Sequence, residues 1–165
     1  MNMTLLIYRE RVVVWWLSAI MGSIAAIMLA ILVYQETVGP LGDNPGPSLF
    51  YLIMFLVFLF FTLNFSVLSI SVGENEILVG YGISRRKYPF SGINGVRRDT
   101  ASAISYGGWG IRITSIEGRS RLAYTVPRLP RIVISLDGFR FDEFVLSTRN
   151  PEDLITIIET QRMLS

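Results

Sequence analysis

The chain has 165 residues, about one domain's worth, with 51% hydrophobic and only 17% charged residues, a mean hydropathy of +0.47 and a formal net charge of +2. Three Trp, seven Tyr and ten Phe exclude a disordered chain, and the absence of cysteine excludes a disulfide framework or a thiolate metal site. Histidine is absent too, which removes the usual general base, the commonest metal ligand and the partner of serine or cysteine nucleophiles.

In chain order, residues 1–11 read as a cytoplasmic N-terminal tail. Val12 to Tyr34 then runs 23 residues without a charge and Leu49 to Val72 another 24, whereas a helix crosses a bilayer with about 20 apolar residues. The sequence predicts transmembrane helices at 12–34 and 49–67, joined by an extracytoplasmic connector at 35–48. A cleavable signal peptide is the alternative for the first, because Arg9 and Arg11 precede it and Ser23-Ile24-Ala25 resembles a small-x-small site. Ala26 to Val33 prolong the apolar run past that point, which argues for an uncleaved span.

Basic residues near span ends are retained in the cytoplasm. Arg9 and Arg11 precede the first span, Arg85, Arg86 and Lys87 follow the second, and the connector holds Glu36 and Asp43 but neither Lys nor Arg. The expectation is a multi-pass protein of the cell (inner) membrane with both termini cytoplasmic. Trp15, Trp16, Tyr34 and Tyr51 suit the headgroup level. Ala19, Gly22, Ser23, Ala26 and Ala30 recur at spacings of three and four and predict a slim helix-packing face, within the hairpin or in a homo-oligomer. Neither span carries an ionisable residue, which argues against a channel or pump built from this chain alone.

Residues 68–165 read as one cytoplasmic domain. Leu68, Ile70 and Val72 alternate with Ser69 and Ser71, the period of a half-buried strand. Further strands are predicted at 77–83, 87–90, 93–98, 110–116, 121–126, 132–136 and 141–148. Glu117-Gly118 and Asp137-Gly138 look like hairpin turns, so the connections are expected to be antiparallel throughout. Asn150 suits an N-cap, Pro151 the first helical position, and Glu152 and Asp153 the positive end of a helix whose apolar stripe is Leu154, Ile155, Ile157 and Ile158. The expected fold class is a membrane α-helical hairpin plus a β-rich α+β domain: a pleckstrin-homology-like (PH-like) antiparallel barrel of about seven strands with a C-terminal helix.

Three local patterns carry a resemblance over nearly the whole chain. They are Tyr8-Arg9-Glu10-Arg11 with Trp15-Trp16, Tyr106-Gly107-Gly108-Trp109-Gly110-Ile111-Arg112 with Ala123-Tyr124, and Ser147-Thr148-Arg149-Asn150-Pro151-Glu152-Asp153-Leu154. Together they resemble uncharacterised prokaryotic two-helix membrane proteins that carry a bacterial PH-like domain. Val126-Pro127-Arg128-Leu129-Pro130 departs from that pattern, replacing a glycine-rich approach to the next strand. The resemblance implies a fold and a membrane location, and it supplies no catalytic residues.

Candidate sites follow from chemistry. Arg85, Arg86 and Lys87 are read as a loop that contacts lipid headgroups, because each basic residue near the inner leaflet gains about 1 kcal/mol from anionic lipid; the bland alternative is simple obedience to the positive-inside rule. Gly107, Gly108 and Gly110 lack the Lys-Ser/Thr pair of a P-loop and are read, with Trp109 and Arg112, as a structural motif that seats Trp109; contact of Trp109 with the membrane interface is the alternative. Asp142 and Glu143 point to opposite faces of a strand and form no carboxylate dyad. The expectation is a non-enzymatic module, with no catalytic residue, metal or cofactor, that binds a protein partner or an anionic lipid surface. Nucleic acid is not an expected partner, because the basic bias is weak. The alternative is a structural or accessory subunit of a membrane complex recognised through its helices.

Overall fold

The computed structural model describes residues 6–165. The chain forms two compact units, residues 13–67 and residues 6–12 with 68–165.

The first unit is a helical hairpin, α1 (Trp15–Thr37) and α2 (Ser48–Phe65). Both helices are long and apolar enough to cross a membrane. Pro40, Pro45 and Pro47, with Gly39, Gly42 and Gly46, keep the connector from continuing either helix. The helices are antiparallel. Val14 N donates to Ser66 O at 2.8 Å near one end, Gly22 lies beside Thr62, and Gln35 Nε2 donates to Gly46 O at 3.4 Å near the other. Their facing residues recur at three and four: Ser18, Met21, Gly22, Ala25, Met28 and Leu32 on α1, and Tyr51, Phe55, Phe58 and Thr62 on α2. The remaining surface is apolar, with Ile20, Ile27 and Val33 exposed on α1 and Leu49, Phe50, Leu56 and Leu63 on α2. Two polar side chains of α2 bond within their own helix: Thr62 Oγ1 donates to Phe58 O at 2.8 Å and Asn64 Nδ2 to Phe60 O at 3.0 Å. That is what a polar group needs where water is absent.

The second unit is α+β, with two sheets and a helix. The described residues preceding the first span are not a tail: residues 6–13 form strand β1 (Leu6–Val13), at the edge of a sheet with β2 (Val67–Gly73), β3 (Glu76–Tyr81) and β4 (Ser84–Pro89) in that order. Tyr8, Glu10 and Val12 turn inward while Arg9, Arg11 and Val13 are exposed. The period of two is present, but a charge occupies one of its inward positions. Residues 1–5 of the expected tail lie outside the described residues. Helix α1 accordingly begins at Trp15, three residues after the Val12 at which the predicted span starts.

The other sheet contains β5 (Ile93–Arg98), β6 (Gly110–Ile116), β7 (Arg119–Thr125), β8 (Arg131–Leu136) and β9 (Glu143–Ser147), in the order β5-β8-β9-β7-β6. The β6–β7 hairpin turns at Glu117 and Gly118, both at positive φ (55° and 76°), as the expected tight turn requires. One pairing corrects the expectation of antiparallel connections throughout: β7 and β9 are parallel, with Arg121 opposite Glu143 and Tyr124 opposite Leu146. Two chain reversals separate β7 from β9, so the two run the same way, and β9 enters between β8 and β7. Local turn signals report reversals but not which strand becomes the neighbour.

Aromatic contacts join the sheets. Tyr88 and Phe144 have ring centroids 4.7 Å apart and Tyr81 and Tyr124 5.9 Å, while Tyr124 and Phe144, both of the five-stranded sheet, lie 5.2 Å apart. Helix α3 (Pro151–Leu164) packs on β5, β8 and the short 3-10 turn Phe90–Gly92 through fully buried Leu154 and Ile158, each contributing roughly 1.5–3 kcal/mol of burial. Asn150 stands at the cap position, yet its side chain makes no capping hydrogen bond. The segment before the helix is instead held by Glu10 of β1, whose carboxylate accepts from Thr148 Oγ1 and, at 2.7 Å, from Arg149 N.

Candidate functional site

A cavity of about 340 Å³ lies between β4 and the loop joining β8 to β9. Tyr88, Leu122 and Leu136 form its apolar inner wall, Phe139 and Phe141 flank it, and Arg86 and Arg140 stand at its polar side. Phe139, 39% exposed, meets Tyr88 edge-on at 5.5 Å, and its ring lies where a Cβ at Gly92 would fall. Arg85 and Lys87 also border the cavity. Among the described residues, none that lines it is a carboxylate.

The structure corrects the loop reading of Arg85, Arg86 and Lys87. All three are on strand β4, and alternation divides them. Arg86 is opposite Val79 and shares a face with Tyr88, whereas Arg85 and Lys87 are opposite Gly80 and Leu78 on the other face. Lys87 Nζ pairs with Glu76 Oε1 at 2.9 Å, and Arg85 Nε donates to Gly82 O at 2.9 Å. Arg140, which sequence reasoning did not single out, joins Arg86 because the β8–β9 loop returns beside β4.

Gly107, Gly108 and Gly110 adopt φ of 68°, 114° and 90°, values that side-chain-bearing residues rarely take, which accounts for the glycines sterically. Trp109 is not seated in the core. It is 48% exposed, and its carbonyl accepts from Arg112 Nε at 3.3 Å. Tyr106 takes the interior place instead, packing with Ala123, Val133 and Val145. On α1, the expected slim face is divided too: Gly22 turns toward α2, while Ala19, Ser23, Ala26 and Ala30 are exposed.

The largest polar feature was not legible as a unit. Glu143, fully buried on β9, meets Arg121 Nε at 2.5 Å, Arg119 at 3.0 Å and Arg97 at 3.1 Å. Arg121, also buried, donates to the Tyr106 hydroxyl at 3.0 Å. Arg131 pairs with Asp99 at 2.6 Å and lies 5.0 Å over the Tyr106 ring. Burial pushes the Glu143 carboxyl up, but hydrogen bonds from Arg97 and Arg119 and the charge of Arg121 outweigh it and hold the group below its ordinary range. It is therefore a fixed anion at neutral pH, suited to tying β5, β7 and β9 together and not to proton transfer. Asp142, next in sequence, faces away and accepts from Ser120 N and Oγ at 2.7 and 2.8 Å.

Among the described residues, no three or more of the Asp and Glu side chains converge in a way that would hold a metal ion. Comparison with protein-family models, curated proteins and solved structures finds no match to this chain.

Proposed function

We propose that this chain is a non-enzymatic, two-span protein of the cell membrane whose PH-like domain lies on the cytoplasmic side and engages an anionic lipid surface. The observation that carries this reading is the concentration of Arg85, Arg86, Lys87 and Arg140 around one cavity without a lining carboxylate. The apolar outward faces of α1 and α2 support insertion in lipid, since water does not tolerate exposed apolar area of that extent. Basic residues on one side of the pair support cytoplasmic termini. Sheets of four and five strands with aromatic contacts between them and one C-terminal helix accord with a PH-like plan carrying an additional strand, β1.

Topology is testable because the chain has no cysteine. Ser48→Cys should react with a membrane-impermeant thiol reagent from outside and Ser165→Cys should not; the reverse pattern would overturn the orientation. The full chain in uncharged nanodiscs should associate with anionic vesicles and not with neutral ones, and should do so less at high salt. Indifference to vesicle charge would refute the lipid reading. The accessory-subunit reading draws on the outward-facing Ala19, Ser23, Ala26 and Ala30, which permit close approach of another helix. A stoichiometric partner retained through mild detergent extraction, and lost on Ala26→Leu, would favour it.

A further inference from the structure

We propose that the cavity between β4 and the β8–β9 loop binds a phosphate monoester carried on an apolar body, with Arg86 and Arg140 taking the phosphate and Tyr88, Leu122 and Phe139 the body. This rests on the anionic-surface reading and sharpens it from a charged face to a discrete site.

Register selects Arg86 from its neighbours, since it alone of the three shares the face of buried Tyr88. Arg140 reaches the same space from the loop, its guanidinium 5.6 Å from the centre of the Phe141 ring. Among the described residues neither Arg86 nor Arg140 is in an ion pair, in contrast to Lys87 with Glu76 and to the arginines around Glu143. One guanidinium satisfies a carboxylate by a two-point contact, whereas a phosphate monoester has three terminal oxygens and a second negative charge for another. Two unpaired guanidiniums at one cavity therefore suit phosphate better than carboxylate. Tyr88 adds a donor: its hydroxyl has no partner among the described residues. Burial pushes its pKa up to about 12, with Tyr124 adding to the rise and Arg86 opposing it, so the phenol stays protonated. The apolar wall gives free phosphate nothing to contact. The volume is at the small end for organic ligands, enough for a phosphate with a ring or the first segment of an acyl chain. A lipid headgroup and a soluble organic phosphate share this chemistry.

The test uses the full chain in uncharged detergent micelles, titrated calorimetrically with inorganic phosphate, phenyl phosphate and dihexanoyl phosphatidic acid. Both organic probes should bind at least about tenfold tighter than inorganic phosphate, and Arg86→Gln or Arg140→Gln should each weaken them by about tenfold or more, the loss of one charge-assisted contact. Arg112→Gln, an exposed arginine on β6 that does not line the cavity, should change affinity less than about threefold, as charges outside a site do. Arg86→Lys, which keeps the charge but not the fork, should recover only part of the affinity. Tighter phosphatidic acid would assign a lipid source, and tighter phenyl phosphate a soluble one. An unchanged unfolding midpoint verifies that the rim variants fold. If no probe binds at low salt, or Arg112→Gln weakens binding as much as Arg86→Gln, the site is refuted. Vesicle association separates that failure from a wider one: vesicles bound without any probe binding would leave the charged-face reading standing, and vesicles unbound would end both.

Discussion

Two groups of arginines in the same domain have opposite surroundings. Around Glu143, Arg97, Arg119 and Arg121 converge on one buried carboxylate, and Arg121 has a further partner in Tyr106. At the cavity beside β4, Arg86 and Arg140 face a space that no lining carboxylate neutralises. Residue type does not distinguish the groups; the counter-charge does. An arginine whose charge is balanced inside the fold contributes to holding strands together, and one left unbalanced at a cavity is available to something outside it.

The comparison breaks most sharply at Glu143. Glu143→Ala leaves Arg121 buried without its anion and should destabilise the domain by about 3–5 kcal/mol, measured as a shift in the denaturation midpoint of the full chain in micelles. Arg140→Ala should cost no more than about 0.5 kcal/mol. Similar losses for both would erase the distinction between a structural and an available arginine. Acid sharpens the same contrast. Because the folded-state pKa of Glu143 is depressed, its contribution is complete above the ordinary glutamate value and is lost as pH falls through the lower folded value. Glu143→Gln should therefore flatten the fall in stability with decreasing pH in that acidic window, while Arg140→Gln should leave the slope unchanged.

A second buried carboxylate extends the comparison to one without a matching guanidinium. Glu10 receives hydrogen bonds from the Tyr8 hydroxyl at 2.9 Å and from Thr148 Oγ1 and Arg149 N. Glu10→Ala should cost about 1–3 kcal/mol, since buried donors lose their acceptor. Hydrogen exchange should rise at β1 and at the first turn of α3 together; exchange confined to β1 would show that the clasp does not hold the helix.

In the hairpin, contact instead of charge divides residues of one type. Gly22→Leu should destabilise helix association by about 1–3 kcal/mol, because it places bulk against Thr62. Ala26→Leu, at an exposed position, should change it by less than about 0.5 kcal/mol. The smallest effect belongs to the exposed Lys87–Glu76 pair: Glu76→Gln should alter stability by at most about 1 kcal/mol while slightly strengthening association with anionic vesicles.

Much of the architecture was legible from local pattern. The two uncharged runs gave both helices to within a few residues, and alternation with Gly-containing turns gave the strands from β2 to β9 in order, except that β4 begins at Ser84 and takes in the three basic residues read as a loop. Strand β1 escaped because Arg9, Glu10 and Arg11 interrupt the apolar signal, although Glu10 is one of the inward residues. The candidate site was half legible. Three adjacent basic residues were conspicuous, but neither their division by β4 nor the approach of Arg140, more than fifty positions later, follows from adjacency.

By itself, the sequence determined what depends on neighbours in the chain: helix length from the apolar run, strand period, the Glu117-Gly118 turn, the glycines that take positive φ, and the start of α3 at Pro151. Tertiary structure alone decided what depends on residues distant in sequence: the parallel β7–β9 pair, the burial of Glu143 among three guanidiniums, the clasp of Glu10 on Thr148 and Arg149, and the placing of Arg86 and Arg140 on one cavity. The physical reason is that periodicity and turn chemistry are set by the backbone within a few residues, whereas a charge acquires its role from whichever side chain the sheet order brings opposite it.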